Sequence, residues 1–335
     1  MTEGDNVKPH TSWRRQFVRV LACSGILLFG SPAVHAAYPE KPVILIVPFP
    51  AGGPTDVLAR LVGQQISQAF NQPVIVENRG GAGGTIATSA AAQSAPDGYT
   101  LFLATTGTMA INPSLYRSFR VDPMKAFEPI GSIASTNNVL VVPANSPVSN
   151  LKDLIGLARS KPGVLTFGSA GNGSSSHISG ELLKTMAGIN VVHVPYKGAA
   201  PAFTDLLGGQ LSMMFDTVSS QVQYLGAGKV KALGVTGRKR SEALPNVPTI
   251  EEAGVPGFEV QIWFGLAAPR GTPDDVVKKL NQQLQKIISA PETKAKFASI
   301  GVDPLPGNPA DFAAMIQKDT AKWSKVVKES GATID

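Results

Sequence analysis

The chain has 335 residues, enough for two domains of ordinary size, and its 43% hydrophobic and 16% charged content is that of a soluble globular protein. A formal net charge of +6, dispersed along the chain, is too mild for a nucleic-acid footprint. The single cysteine, Cys23, lies inside an N-terminal leader, so the remainder of the chain has no disulfide, thiol nucleophile or Cys-based metal site.

Residues 1–36 read as that leader, a cleavable export signal. Arg14, Arg15 and Arg19 form a basic region, and Val20–Phe29 is an apolar core about half as long as a membrane span. Val34-His35-Ala36 has small residues where cleavage requires them. The pair Arg14-Arg15 leaves general and twin-arginine export both open, since Trp13 stands where the latter prefers Ser or Thr. Cleavage removes four basic and two acidic residues and lowers the net charge to about +4.

Val43–Val47 is an unbroken apolar, β-branched run, as expected of a strand buried on both faces of a parallel sheet. Pro48 and Pro50 end it, Gly52 and Gly53 free the backbone for a turn, and Pro54 opens a helix whose apolar face runs through Val57, Leu58, Leu61, Val62, Ile66 and Phe70. This unit aims unpaired N–H groups and a positive helix end at the carboxyl edge of the sheet, where open α/β folds bind anions. Thr55 and Asp56 add polar groups at that tip. Val74–Val76 predicts a second strand, followed by Gly80-Gly81-Ala82-Gly83-Gly84 and a small-residue helix over Thr85–Gln93. The glycine run is not a dinucleotide loop, because Ile86 stands where its third glycine belongs. Leu101–Ala104 is a buried strand ending in the hydroxyl cluster Thr105-Thr106-Gly107-Thr108.

Ile130–Pro143 reads as two extended runs around Thr136-Asn137-Asn138, and Asn150 caps a helix over Leu151–Ser160. The pattern then restarts. Strands are expected at Leu165–Gly168, Val191–Val194, Leu211–Phe215 and Val230–Val235, with helices through Ile178, Leu182, Leu183 and Met186 and over Ala200–Leu207. The strand tips carry Ser169-Ala170-Gly171-Asn172-Gly173-Ser174 and Asp216-Thr217. Glu259–Ala268 is extended, and amphipathic helices come after it over Pro273–Ser289 and Pro309–Glu329. The expectation is an α/β protein of two domains, with residues 37–141 and 258–335 forming a discontinuous first domain and 142–257 the second. They are joined by two crossings, near Val139–Pro143 and Glu259–Ala268, with the ligand in the cleft between them.

Several ordered stretches, VPFPAGGPTDVLAR, VIVENRGGAGGT, APDGYTL, INPSLY, HVPYKG, DLLGGQ, ALPNVPTIEEAG and GTPDDVVKKLN, resemble the substrate-binding proteins of tripartite tricarboxylate transporters, the TctC/Bug family. The resemblance spans nearly the whole chain after the leader. It implies a type II periplasmic binding (Venus-flytrap) fold, no catalysis, no cofactor, and a small carboxylate closed between two lobes and handed to membrane permease subunits. It also implies carboxylate contacts from loops equivalent to Ala51–Asp56, Thr105–Thr108 and Ser169–Ser174. The candidate ligand-binding set is Phe49, Ala51, Gly52, Gly53, Thr55, Asp56, Thr105, Thr106, Thr108, Ser169, Ala170, Gly171, Asn172, Ser174, Asp216 and Thr217. No Arg or Lys stands at these tips, so main-chain N–H groups, hydroxyls and helix ends would carry the anion. Asp216 either accepts from a ligand N–H or caps the following helix. A monomer is expected, exported to the periplasm, without metal. The rival reading is a secreted hydrolase built on Ser174–Ser176, His177, Asp205 and Asp216. It is disfavoured because residues adjacent on a helix point about 100° apart and no GxSxG elbow is present. His193 in its apolar strand reads as a hydrogen-bonded core residue.

Overall fold

The first strand is apolar throughout because both faces of its sheet are covered: in β1 (Val43–Val47), Leu45 and Ile46 point to opposite sides and both are buried. The computed structural model describes Met1 and residues 38–331 and 333–334, and the chain from Pro39 onward forms one compact unit. The export signal read over residues 1–36 lies outside the described residues, apart from Met1.

After β1 come α1 (Pro54–Phe70), β2 (Val74–Asn78), α2 (Thr85–Ala92) and β3 (Thr100–Thr105). A π-helical turn, Gly107–Ile111, runs into the short α3 (Asn112–Leu115), followed by α4 (Pro123–Ala126) and the 17-residue β4 (Phe127–Pro143). The next segment contains α5 (Leu151–Ser160), β5 (Thr166–Ser169), α6 (Ser175–Ala187), β6 (Val192–Pro195), α7 (Ala199–Leu207), β7 (Met213–Thr217), α8 (Val218–Gly226) and β8 (Val230–Val235). The chain ends with β9 (Gln261–Pro269), α9 (Asp274–Ser289), α10 (Pro291–Ser299), β10 (Asp303–Pro304) and α11 (Pro309–Ser330).

The strand order is β2-β1-β3-β9-β4-β7-β5-β6, with β8 and β10 also paired to β4. In each half, three strands are parallel (β2-β1-β3 and β6-β5-β7), while β9 and β4 run between the two sets as antiparallel neighbours. β4 joins the halves. Residues 127–137 pair with β9, and residues 138–143 pair with β7 and β8. The polar triplet Thr136-Asn137-Asn138 therefore does not break the strand, contrary to the two runs read from sequence. Part of the triplet is bonded in place: Thr136 donates to Gly301 O at 2.9 Å and the Asn138 side chain donates to Ser179 Oγ at 3.2 Å, while Oδ1 of Asn137 and of Asn138 is buried without a partner. Two register shifts against β9, between Pro129 and Gly131 and between Ser132 and Ala134, bend the long strand.

Thr236 fastens the second crossing to the first. Asn138 N donates to Thr236 Oγ1 at 2.9 Å, and that hydroxyl donates to Val260 O at 2.8 Å. The Thr236 backbone is bonded as well, with Thr236 N to Asn138 O at 2.9 Å and Val260 N to Thr236 O at 2.8 Å. The C-terminal helices pack back on the first half. Trp263 Nε1 donates to Asp319 at 2.6 Å, its ring meets Phe312 edge-on with centroids 5.3 Å apart, and Asn281 donates to Ile130 O at 2.8 Å.

Thr236→Val keeps the volume but leaves the Asn138 N–H and the Val260 carbonyl unpaired in a fully buried site. Chemical denaturation should show a loss of roughly 2–5 kcal/mol, whereas a loss below about 0.5 kcal/mol would mean that this cross-link does not hold the two crossings together.

Candidate functional site

Strand direction decides where the loops meet. β3 runs with β4 and ends level with Ala134, through the pairs Thr105–Phe264 and Phe264–Ala134. β7 runs against β4 and ends level with Asn138. The carboxyl ends of the two parallel sets thus point toward each other across a four-residue stretch of β4, roughly 13 Å. In both sets the first crossover runs from the central strand to one side and the second crosses back to the other, so each half has a topological switch point at the carboxyl ends of its strands, β1 and β3 in one and β5 and β7 in the other. Helices α1, α6 and α8 start at the tips of β1, β5 and β7, and the π-turn starts at the tip of β3.

The β1–α1 loop is held by Asp56. Its carboxylate accepts from Gly52 N at 2.9 Å, Arg60 Nε at 3.0 Å and Asn78 Nδ2 at 3.0 Å. Asn78 also donates to Phe49 O at 3.0 Å. Burial alone would raise the Asp56 pKa, but the bonds from Arg60, Gly52 and Asn78 outweigh it and hold the group below the ordinary carboxylate range. Asp56 is thereby committed to shaping the loop. Ala51 and Gly52 are exposed, while Phe49, Gly53 and Thr55 are half-buried. No side chain caps α1, so its first-turn N–H groups are open to an anion. The left-handed position is Gly52, at φ +83°; Gly53 is extended at φ −81°, and a Cβ there would meet only Pro50 O at 3.6 Å. The conformational need for glycine falls on Gly52, and a side chain at Gly53 would not strain the turn.

At the β3 tip, Thr105, Thr106 and Thr108 are all buried. Thr105 and Thr108 bond each other through hydroxyls 3.2 Å apart and through main-chain N–H groups, and Thr106 Oγ1 accepts from Trp263 N at 2.9 Å. These hydroxyls brace the tip against β9. At the β5 tip, Ser174 is the N-cap of α6, accepting from His177 N at 3.3 Å and donating to Gly171 O at 2.6 Å. Ser169 Oγ accepts from Gly171 N at 3.1 Å and lies 2.6 Å from His193 Nε2. Ala170, Gly171 and Asn172 are half-buried. At the β7 tip, Asp216 accepts from Thr217 N, Ser220 Oγ and Gln221 Nε2, each at 2.8 Å. Burial pushes its carboxyl up, against these bonds. Asp216 is thus bonded to its neighbour and to two side chains of α8, whose N-cap residue is the half-buried Thr217, with no side-chain cap bond.

Sequence reasoning missed the pair of stacked imidazoles beneath the β5 loop. The His177 and His193 rings lie 4.2 Å apart, and Phe167 stacks on His193 at 4.7 Å. His177 Nδ1 accepts from Gly173 N at 3.1 Å, while its Nε2 lies 3.9 Å from Glu181, which is bonded to Lys184 at 2.9 Å. Burial, then the neighbouring His193 and Lys184, depress the His177 pKa to about 3; burial and Lys184 depress that of His193 to about 4. Ser174 meets His177 through the cap, its hydroxyl accepting from the His177 main-chain N–H.

Grooves on the outer surface, one lined by Leu207, Gln223, Tyr224, Ala227 and Lys229, lie away from the tips and bring no such set of donors together. Among the described residues no group of three or more His, Cys, Asp or Glu could hold a metal ion, and no helix is long and apolar enough to cross a membrane.

Residues 58–332 match the family described as the tripartite tricarboxylate transporter family receptor, TctC. The chain belongs to this family. Among solved structures it is similar to Rpa4515 of R. palustris with adipate, at 40% identity and a TM-score of 0.81 over 88% of this chain and 98% of that one. It is similar to the periplasmic binding protein BugD, at 38% identity and a TM-score of 0.79 over 88% and 99%. It is also similar to MatC of Rhodopseudomonas palustris with bound malate, at 34% identity and a TM-score of 0.79 over 87% and 100%. The fold is therefore that of the periplasmic binding proteins, in a family of solute-binding receptors.

The loops of this TctC-family chain can be probed through the backbone and through pH. Gly52→Ala should cost about 1–2 kcal/mol by denaturation through backbone strain alone, with Gly53→Ala near neutral; the reverse order would contradict the assignment of the left-handed position to Gly52. The neutral imidazoles give an acid dependence. Unfolded histidine titrates near 6.5 and these two are depressed, so their stabilising contribution is full above that pH and is lost as pH falls toward 4. The slope approaches about 1.4 kcal/mol per pH unit for His177 and less for the more exposed His193. Stability measured from pH 7 to 4 should fall more steeply in the wild type than in a His177→Gln/His193→Gln variant, and parallel curves would contradict the depressed pKa values.

Proposed function

We propose that this chain is a periplasmic solute-binding receptor that holds a small carboxylate between its two half-sheets and delivers it to the membrane permease of a tripartite tricarboxylate-type transporter. The observation that supports this reading is that the carboxyl ends of β3 and β7 point toward each other across one stretch of β4, with β1 and β5 as their parallel neighbours, so that helix starts, N–H groups and hydroxyls without a Lys or Arg among them stand at the carboxyl edges of both sets. Such donors hold a carboxylate by charge-assisted hydrogen bonds while leaving release facile. Adipate and malate in the similar solved structures fit that chemistry. The ligand is a di- or tricarboxylate, an aromatic acid or an acidic amino acid.

In this reading residues 37–141 with 258–335 and residues 142–257 are the two lobes, bending at β4 near Asn138 and at the segment entering β9. The ligand contacts fall to the exposed and half-buried members of the candidate set other than Ser174, which caps α6, namely Phe49, Ala51, Gly52, Gly53, Thr55, Ala170, Gly171, Asn172 and Thr217. Asp56, Thr105, Thr106, Thr108, Ser169, Ser174 and Asp216 hold those loops in shape. The leader at 1–36 routes the protein to the periplasm, and the receptor acts as a monomer without cofactor.

The Ser169–His193 contact at 2.6 Å is the one feature that favours a hydrolase. Ser169 is fully buried, however, and His193 is stacked between His177 and Phe167. That arrangement supports a loop brace rather than a nucleophile.

A thermal-shift panel of di- and tricarboxylates, aromatic acids and acidic amino acids tests the reading. One class at about 100 times its Kd should add roughly 2.7 kcal/mol of stability, with the acid recovered unchanged. A panel in which no carboxylate stabilises the protein, or one in which an acid is consumed, would overturn it.

A further inference from the structure

The stretch Ile111-Asn112-Pro113-Ser114-Leu115-Tyr116 has a place in the fold that carboxylate binding does not use. It continues from the π-turn at the β3 tip and crosses to the β5 loop. Tyr116 OH, from the first half, donates to Asn172 O of the second at 3.3 Å. Asn112 Nδ2 donates to Gly83 O at 2.9 Å, drawing the glycine-rich loop into the same contact. Asn112 is fully buried and its Oδ1 has no hydrogen-bond partner.

Three glycines let the main chains come this close. A Cβ on Gly83 would stand 2.5 Å from Tyr116 OH and 3.1 Å from Asn172 O. One on Gly107 would stand 3.1 Å from Gly173 O, and one on Gly173 would stand 2.9 Å from Asn112 Oδ1. Tyr116 is also pinned from behind. Ile334 N donates to Leu115 O at 2.8 Å and Arg117 N to Ile334 O at 2.9 Å, so the end of the chain fixes the backbone that carries the phenol.

We propose that Tyr116, supported by Asn112 and Gly83, is a latch between the two half-sheets: its bond to Asn172 O holds the β5 loop against the β3 tip without any ligand, and it sets how quickly a closed ligand escapes. The latch is self-limiting. It gains one neutral hydrogen bond on closing and strands one acceptor, Asn112 Oδ1, that water would satisfy when the halves part, so the closed form stays reversible. Tyr116 is a positioning residue, because it acts through the Asn172 and Gly173 main chain and not on the ligand. The effect on escape rests on the carboxylate-receptor reading; the latch itself does not.

The test uses the full chain without its leader, as wild type, Tyr116→Phe and Gly107→Ala. Tyr116→Phe keeps the ring and removes only the hydroxyl; Gly107→Ala presses a methyl group against Gly173 O from the other side. In ligand-free protein both variants should speed hydrogen exchange of the 170–174 amides about fivefold, the loss of one ordinary hydrogen bond. The radius of gyration should rise, while exchange in β1 and β3 and the melting temperature should stay close to wild type. With adipate and malate as probes, dissociation should accelerate by a similar factor at unchanged association rate. Unchanged exchange and unchanged radius in both folded variants would overturn the latch. If exchange and radius respond but the wild type binds no carboxylate, the receptor reading falls and the latch stands.

Discussion

The structure depends on one strand belonging to two sheets. β4 is shared, and a shared strand imposes a direction on everything paired to it. Because β3 runs with it and β7 against it, the carboxyl ends of both parallel sets must point inward. The β7 tip lies beside Asn138, and the β3 tip is level with Ala134 one strand away across β9. Thr236 then ties the returning chain to the same stretch, with its hydroxyl and its main chain both bonded across the crossing. These short bonds join the two crossings along one stretch of β4.

The polar residues at the tips divide their labour. Those with side-chain charge or buried hydroxyls are spent on the protein itself, Asp56 on Gly52 and Asn78, Thr106 on Trp263, Asp216 on the start of α8. Among the exposed and half-buried tip residues, Ala51, Gly52, Gly53, Ala170 and Gly171 have only main-chain polar groups. A buried lysine or arginine would bind an anion tightly but would have to be desolvated, or left unpaired, each time the halves parted. Backbone donors held by glycine turns avoid that cost, which suits a receptor that must also let go.

Much of the fold was legible because local and tertiary preferences agree in the α/β units. β1, α1, α5 and β8 fall where the apolar runs, Pro54 and the Asn150 cap place them. Reading failed where burial is polar. Thr136 to Asn138 look like a turn, and only partners distant in sequence, Gly301, Ser179 and Thr236, make them strand. Helix α8 buries Gln221 and exposes Val222, so its apolar periodicity is inverted where it matters. In the site, the sequence names the tips but not which atoms remain available. That Gly52 and not Gly53 carries the positive φ, and that Ser169 pairs with His193 across the parallel strands β5 and β6, are facts of packing that no spacing encodes.

If the facing tips hold a small carboxylate, that acid should remain with the protein through purification. The most direct measurement is mass spectrometry of the small molecules released on denaturing protein purified from the periplasm without added ligand. The expected result is a carboxylic acid of low mass at close to one equivalent, absent from protein in which the tip is blocked by Gly52→Val. Release of a stoichiometric compound bearing no carboxylate, or equal amounts of acid from the blocked and unblocked proteins, would contradict it.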